Sequence, residues 1–206
     1  MKIFLVLFAL LTIFTNSKAQ NNMEKVNSII QTVKEKFAPD KRVALFNIEA
    51  AESGDNIIIK GETNLPEAKS EFVKNMKEAG LTFKDDIEML PSKELGDKIY
   101  GVINLSVANF RAKPDHPAEL VTQAILGTPV KVFKKGEDGY YTVQTPDGYI
   151  SWLDDDGFSF MTEDQWNEWR SSPKIIYTKE YGFSYSETDV NSQTVSDLVA
   201  GNLLKI

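Results

Sequence analysis

A single histidine, no cysteine and a run of three aspartates are the first chemical facts of this 206-residue chain. His116 lies in Pro114-Asp115-His116-Pro117 without a nucleophile or a second imidazole nearby, so it reads as an exposed loop imidazole and neither a general base nor a metal ligand. The lack of cysteine removes disulfides, thiol nucleophiles and thiolate metal sites. Asp154-Asp155-Asp156-Gly157 offers the carboxylates of a calcium loop in the wrong register. Counted from Asp154, Phe158 falls at the fifth position and Ser159 where the loop requires glycine. A solvated turn is expected there, with no metal and no cofactor. Trp166 and Trp169, one helical turn apart, have the spacing to stack on a sugar, but two indoles more commonly pin a short helix to its neighbours. Packing is the expectation.

Acidic residues outnumber basic ones, 30 to 23, for a formal charge of -7. A backbone-tracking nucleic-acid binder needs the opposite sign, so nucleic acid is excluded as the expected partner. The start of the chain has its own logic. Lys2 precedes an apolar run from Ile3 to Thr15, and Ser17-Lys18-Ala19 places small residues three and one before Gln20. This is the pattern of a secretory signal peptide over residues 1–19 cleaved after Ala19, and the run is short for a membrane span of about 20 residues. Without a cysteine to carry lipid, the exported chain is expected free of a membrane anchor, in the periplasm or cell envelope. Loss of Lys2 and Lys18, with no acidic residue among the first nineteen, makes it still more anionic.

Residues 22–93 read as a small α+β domain in the order helix, strand, strand, helix, strand. Val26, Ile29, Ile30, Val33 and Phe37 recur at helical spacing until Pro39 stops them. Strands are expected over 42–49 and 56–61 around Ser53-Gly54-Asp55. Asn64 is placed to cap a second helix with Pro66 in its first turn and Ala68, Phe72, Val73 and Met76 on one face; a strand over 81–90 closes the unit. This order resembles the BON-type domain. From Tyr100 onward, short strands alternate with Gly, Pro and Asp, the signature of a small antiparallel barrel or sandwich over 100–160. One strand is expected from Ile103 to Arg111, others over 128–134 and 139–144, and a tight turn at Thr145-Pro146-Asp147-Gly148. Tyr141, Val143, Ile150 and Trp152 are the expected inward positions of the flanking strands. Residues 161–177 read as a short helix and linker, the helix opened by a Thr162/Gln165 capping box and closed by Pro173.

The chain then repeats itself. Residues 121–132 align with 195–206 at a spacing of 74, sharing Val, Gly and Lys and pairing Ile125 with Val199, Val130 with Leu204 and Val132 with Ile206. In the first copy more strands follow; the second reaches only Ile206, so residues 178–206 read as an incomplete second module. An open half-module exposes unpaired backbone and apolar edge. A truncated gene product is the expected explanation, against a tail packed on the first module or a partner that supplies the strands.

The segments 106–114, 126–132, 140–143 and 145–152, with Asn109-Phe110-Arg111, Gly127-Thr128, Pro146-Asp147-Gly148 and Trp152 in that order, resemble a bacterial SH3-like domain. The whole arrangement is similar to the N-terminal half of NlpC-type cell-wall cysteine peptidases of Bacteroidetes-like bacteria. That resemblance implies a wall-facing module of a peptidoglycan hydrolase, whose partners would be peptidoglycan stem peptides or a downstream catalytic domain. The cysteine nucleophile of the family has no counterpart here, so this chain is expected not to be an enzyme, although the intact protein of that kind is a D-glutamyl-diamino-acid endopeptidase. An envelope protein-protein interaction module is the remaining alternative. On such a domain the binding face would use the long loop and hairpin aromatics, which makes Arg111, Asp115, Tyr140 and Tyr149 the candidate ligand contacts, with Arg111 offered to a carboxylate. Expression in a secreting bacterial host should yield a chain whose intact mass and N-terminal sequence begin at Gln20; a secreted product retaining Met1 would refute the processing assignment.

Overall fold

The computed structural model describes residues 2–54 and 56–206, and side chains from residue 20 onward within those spans. Asp55, the third residue of the expected hairpin turn, lies outside the described residues, as do the side chains of residues 1–19 on which the export reading rests. The chain divides into two compact units, Met1–Leu90 and Pro91–Ile206.

The first unit orders as α1 (Lys2–Phe37), β1 (Phe46–Ser53), β2 (Asn56–Thr63), α2 (Pro66–Glu78) and β3 (Phe83–Met89). β1 and β2 form an antiparallel pair, and β3 joins β2 in parallel, the crossover made by α2. Because side chains alternate along a strand, Phe46, Ile57, Ile59 and Ile87 point to one face, where they share a core with Val26 and Val33 of α1 and Ala68, Phe72 and Met76 of α2. The first strand begins at Phe46 and not at Arg42. Arg42 folds back on Asp40 with its guanidinium at 2.7 Å, and the Val43 and Ala44 amides donate to the Asp40 carbonyl, so the chain turns before it extends. The same guanidinium holds the Asp40 carboxyl at a pKa of about 2. Asn64 does not cap α2. Its Oδ1 accepts from the Leu45 amide at 2.8 Å, while buried Thr63 donates to the Leu45 carbonyl at 2.7 Å, so this polar pair ties the strand entry to the helix entry.

The second unit is mostly strand. β4 (Tyr100–Ile103), β5 (Val107–Arg111), β6 (Leu120–Ile125), β7 (Pro129–Lys135), β8 (Tyr140–Gln144), β9 (Ile150–Asp154) and β10 (Phe158–Met161) build one seven-stranded sheet in the order β10-β4-β7-β8-β9-β5-β6. The single strand expected over 103–111 is therefore two. The chain breaks at Asn104–Ser106 because its halves take different neighbours, β4 between β10 and β7, and β5 between β6 and β9. Ile103, Ala108, Phe110, Val130, Val132, Val143, Leu153 and Phe158 form the core. α3 (Glu163–Ser171) follows with the reciprocal Thr162/Gln165 capping box in place.

The hairpin face assignment needs correction. Gln144 pairs with Ile150 across a five-residue turn, so Val143 shares its face with Ser151, and Tyr141 with Leu153. Ile150 and Trp152 belong to the opposite face, where Ile150 is buried as expected. Trp152 is half-buried there, with Gly136 against its ring and the Lys134 ammonium 5.5 Å from its centroid.

The remaining strands, β11 (Lys174–Ile176), β12 (Tyr181–Tyr185), β13 (Thr194–Val199) and β14 (Leu203–Lys205), form two separate pairs, β11-β14 and β12-β13. The internal repeat proves longer than its sequence signal. β4, β5, β6 and β7 correspond to β11, β12, β13 and β14 at the same spacing of 74, so the second copy starts in the stretch assigned to a linker. The Gly127 amide donates to Ile103 as the Gly201 amide does to Tyr177, and Ala112 donates to Glu119 as Ser186 does to Gln193. Even the strand irregularity is repeated, between Phe110 and Arg111 and between Ser184 and Tyr185.

All three tryptophans lie in the second unit, so their emission reports its unfolding. Phe110→Ala, which empties a fully buried site, should cost about 3–5 kcal/mol in denaturant titrations followed by that emission. Phe183→Ala, at an exposed site of the second copy, should stay within about 0.5 kcal/mol.

Candidate functional site

The register of β8 and β9 determines what can meet at the long-loop end of the sheet. Tyr140 and Asp154 are cross-strand partners at the open end of the hairpin. Beside them a cleft of about 240 Å³ is lined by Asn109, Arg111, His116, Tyr140, Asp154 and Asp156 together with the apolar Leu105, Val107 and Leu153. Arg111, at the irregular end of β5, is half-buried, and its Nη1 donates to the Ala118 carbonyl at 3.1 Å, which fixes the guanidinium across the loop. The His116 ring stands edge-on to Tyr140 with centroids 5.7 Å apart, and its Nε2 lies 3.6 Å from Asp154 Oδ2.

The electrostatics of the cleft are mixed. Burial pushes the Tyr140 phenol above its ordinary range, and the Asp154 carboxylate pushes it further; Arg111 opposes the shift and Asp115 adds to it. Tyr140 is thus a neutral hydrogen-bond donor at physiological pH, with one guanidinium and two carboxylates acting on it. The Asp154, Asp155 and Asp156 carboxylates offer oxygens within 4.8 Å of one another, the one grouping among the described residues with that density of ligating atoms. Asp154 Oδ1 accepts from the Asp156 amide at 3.0 Å, capping a tight 3-10 turn, which is the ordinary work of an aspartate in that place.

Of the residues singled out in the sequence, Arg111 and Tyr140 line this cleft and Asp115 acts on it from the adjoining loop. Tyr140 is buried rather than displayed. Tyr149 lies apart, at the turn end of the hairpin, roughly 15 Å of strand from Tyr140. Its amide donates to Asp147 Oδ1 at 3.3 Å. Asp154, Asp156 and His116 as cleft groups are not apparent from local sequence. The signal that finds Asp154 is symmetry about the turn: Asp147 is equidistant from Tyr140 and Asp154 in the sequence.

The two helical tryptophans are engaged elsewhere. Trp166 stacks on Tyr100 at 4.5 Å with the Arg170 guanidinium 4.4 Å from its ring, and Trp169 Nε1 donates to the Gly127 carbonyl at 3.1 Å. Among the described residues no helix is long and apolar enough to cross a membrane.

Residues 110–158, which hold most of the cleft, match the family described as the bacterial dipeptidyl-peptidase SH3 domain. This part of the chain is an SH3-like domain. No curated protein matches the chain. Among solved structures, an NlpC/P60 endopeptidase from Photobacterium damselae subsp. piscicida is similar at 15% identity and a TM-score of 0.44, over 57% of this chain and 29% of that one. This chain therefore spans less than a third of that protein's length.

A folded-state phenol with a raised pKa keeps its proton as pH rises past the ordinary value of 10. The stability it contributes is complete below that pH and is lost as pH climbs through the folded value. Tyr140→Phe should remove a late-ionising step from an alkaline absorbance titration and leave the remaining phenolate signal in place. Loss of an early-ionising phenol instead would contradict the burial argument.

Proposed function

We propose that this chain is an exported, non-catalytic binding module of a peptidoglycan hydrolase, and that its SH3-like domain holds peptidoglycan stem peptides at the Arg111–Tyr140 cleft. The observation that supports this reading most is the match of residues 110–158 to an SH3 domain of bacterial peptidases, because that segment carries Arg111, His116, Tyr140, Asp154 and Asp156. The chemistry of the cleft agrees with a short peptide. A stem peptide carries both carboxylates and amino groups, and the cleft presents a cation and anions side by side. Arg111 has the planar donor fork for a carboxylate, Asp154 and Asp156 the oxygens for an ammonium, and Tyr140 a protonated hydroxyl between them. A uniformly anionic polymer would be repelled by a chain of net charge -7, so recognition by paired local charges suits this protein better than bulk attraction. The leading α+β unit is read as a BON-like spacer without chemistry of its own. Residues 1–19 are read as the export signal, which places the module in the periplasm or envelope.

Catalysis is assigned to a different domain or protein, since cysteine is absent and the single imidazole has no nucleophile beside it. The purified chain should be retained on isolated sacculi and should bind a disaccharide-free stem peptide by calorimetry without releasing any dipeptide from it. Arg111→Gln and Asp154→Asn, each removing one charge of the pair, should weaken that binding by about tenfold apiece. Absence of retention on sacculi, or affinities untouched by both substitutions, would move the reading to an envelope protein-protein module.

A further inference from the structure

The turn end of the β8–β9 hairpin has chemistry of its own. Cross-strand pairing sets Tyr100, Lys131, Gln144 and Ile150 in one row across β4, β7, β8 and β9, and partners in such a row project to the same face. α3 packs on the β4 end of that row. Its Trp166 stacks on Tyr100 with centroids 4.5 Å apart, and Arg170, one turn further on, holds its guanidinium 4.4 Å from the indole ring. Between helix and sheet lies a cleft of about 260 Å³, lined by Lys131, Gln144, Trp166 and Arg170 with the apolar Pro129 and Pro146. It shares no residue with the Arg111–Tyr140 cleft, which lies at the other end of the hairpin.

The side chains around this cleft suit an anion. No acidic residue lines it, although the chain as a whole carries a net charge of -7. Among the described residues neither Lys131 nor Arg170 has an ion-pair partner, and the Arg170 guanidinium rests on the Trp166 ring. Trp166 Nε1 is buried without an acceptor, whereas Trp169 Nε1 donates to the Gly127 carbonyl. An unpaired buried N–H is costly enough that nearly all such groups find a partner. The ring of Trp166 is committed to Tyr100 and Arg170, so what it offers a ligand is its N–H edge and not a stacking face.

The opposite wall narrows the class of anion. Gln144 Nε2 donates to the Gly148 carbonyl at 2.9 Å, which fixes the orientation of the amide and leaves Oε1 to accept. A carboxylate for the cations and the indole, an amide N–H for Gln144 and a small apolar body against the prolines occur together at the last residue of a peptide. Phosphate has only the first. At about 260 Å³ the cleft is smaller than the roughly 300–1,000 Å³ of a site that encloses a whole ligand, so it takes a chain end.

We propose that this cleft binds the carboxy-terminal residue of a free peptide, with Lys131, Arg170 and Trp166 Nε1 on the carboxylate and Gln144 Oε1 on the last amide. It is a second site, independent of the stem-peptide reading of the Arg111–Tyr140 cleft.

The test titrates the full chain with acetyl-alanyl-alanine, with its carboxamide and with inorganic phosphate, followed by calorimetry and by the indole N–H resonances of the three tryptophans. Trp166→Phe keeps a ring on Tyr100 and identifies the Trp166 signal by deleting it. The expected result is that the free acid binds about tenfold more tightly than the carboxamide or phosphate and shifts the Trp166 resonance most. Lys131→Gln and Arg170→Gln should each lower that affinity by about tenfold, Trp166→Phe should also lower it, and Arg111→Gln should leave it unchanged. Equal affinity for acid and carboxamide would overturn the carboxylate contact, and equal affinity for phosphate would overturn the peptide assignment. Binding that Arg111→Gln abolishes and Lys131→Gln spares belongs to the other cleft, and overturns this site without touching the stem-peptide reading. No binding of the free acid overturns the proposal outright.

Discussion

The turn at Thr145–Tyr149 governs the second unit. The Thr145 hydroxyl hydrogen-bonds to the Asp147 carboxylate, and the Thr145 amide donates to the Tyr149 carbonyl, so five residues are locked between Gln144 and Ile150. That loop length decides the register of β8 on β9, and a strand register cannot slip by one residue without exchanging its two faces. Val143 and Leu153 reach the core because of it, and Tyr140 meets Asp154 because of it. The Thr145 hydroxyl also draws the Asp147 carboxyl below its ordinary pKa. The contribution of that bond is therefore complete above the ordinary carboxylate range and fades as acid protonates Asp147.

How much could be read from the chain alone varies with the range of the interaction responsible. Local signals served well. The α1 stop before Pro39, the buried face Ala68-Phe72-Met76 and the Thr162/Gln165 box all depend on residues within a turn or two of each other. Asn64 has two possible partners for its side chain, and the distant Leu45 amide takes it from the local helix end. The hairpin faces depend on the length of the turn, because its five residues pair Gln144 with Ile150 and so set which strand positions share a face. The division of 103–111 into two strands is set by different neighbours far along the chain, for which no local pattern exists.

The cleft shows the same division. Arg111 and Tyr140 were accessible as residue types suited to a loop-and-hairpin surface, and His116 was visible only as an isolated imidazole. What brings His116 within 3.6 Å of Asp154 is the closure of the long loop over the hairpin end, where the Arg111 guanidinium reaches the Ala118 carbonyl. The structure thereby turns an unremarkable loop histidine into a neighbour of the carboxylate that opposes Tyr140. Charge of both signs is gathered around one buried phenol by contacts that reach from the long loop to the far end of the hairpin, as from His116 to Asp154.

Gly127 and Gly201 occupy the same turn of the two copies, both with positive φ, and each faces the other copy's chain. A β-carbon on Gly127 would lie 2.6 Å from Leu203, and one on Gly201 would lie 2.8 Å from Ile125. The turns interlock like paired teeth, each leaving the notch that the other fills. Neither turn can gain a β-carbon unless the chain opposite it gives way, so what one position admits depends on the other copy.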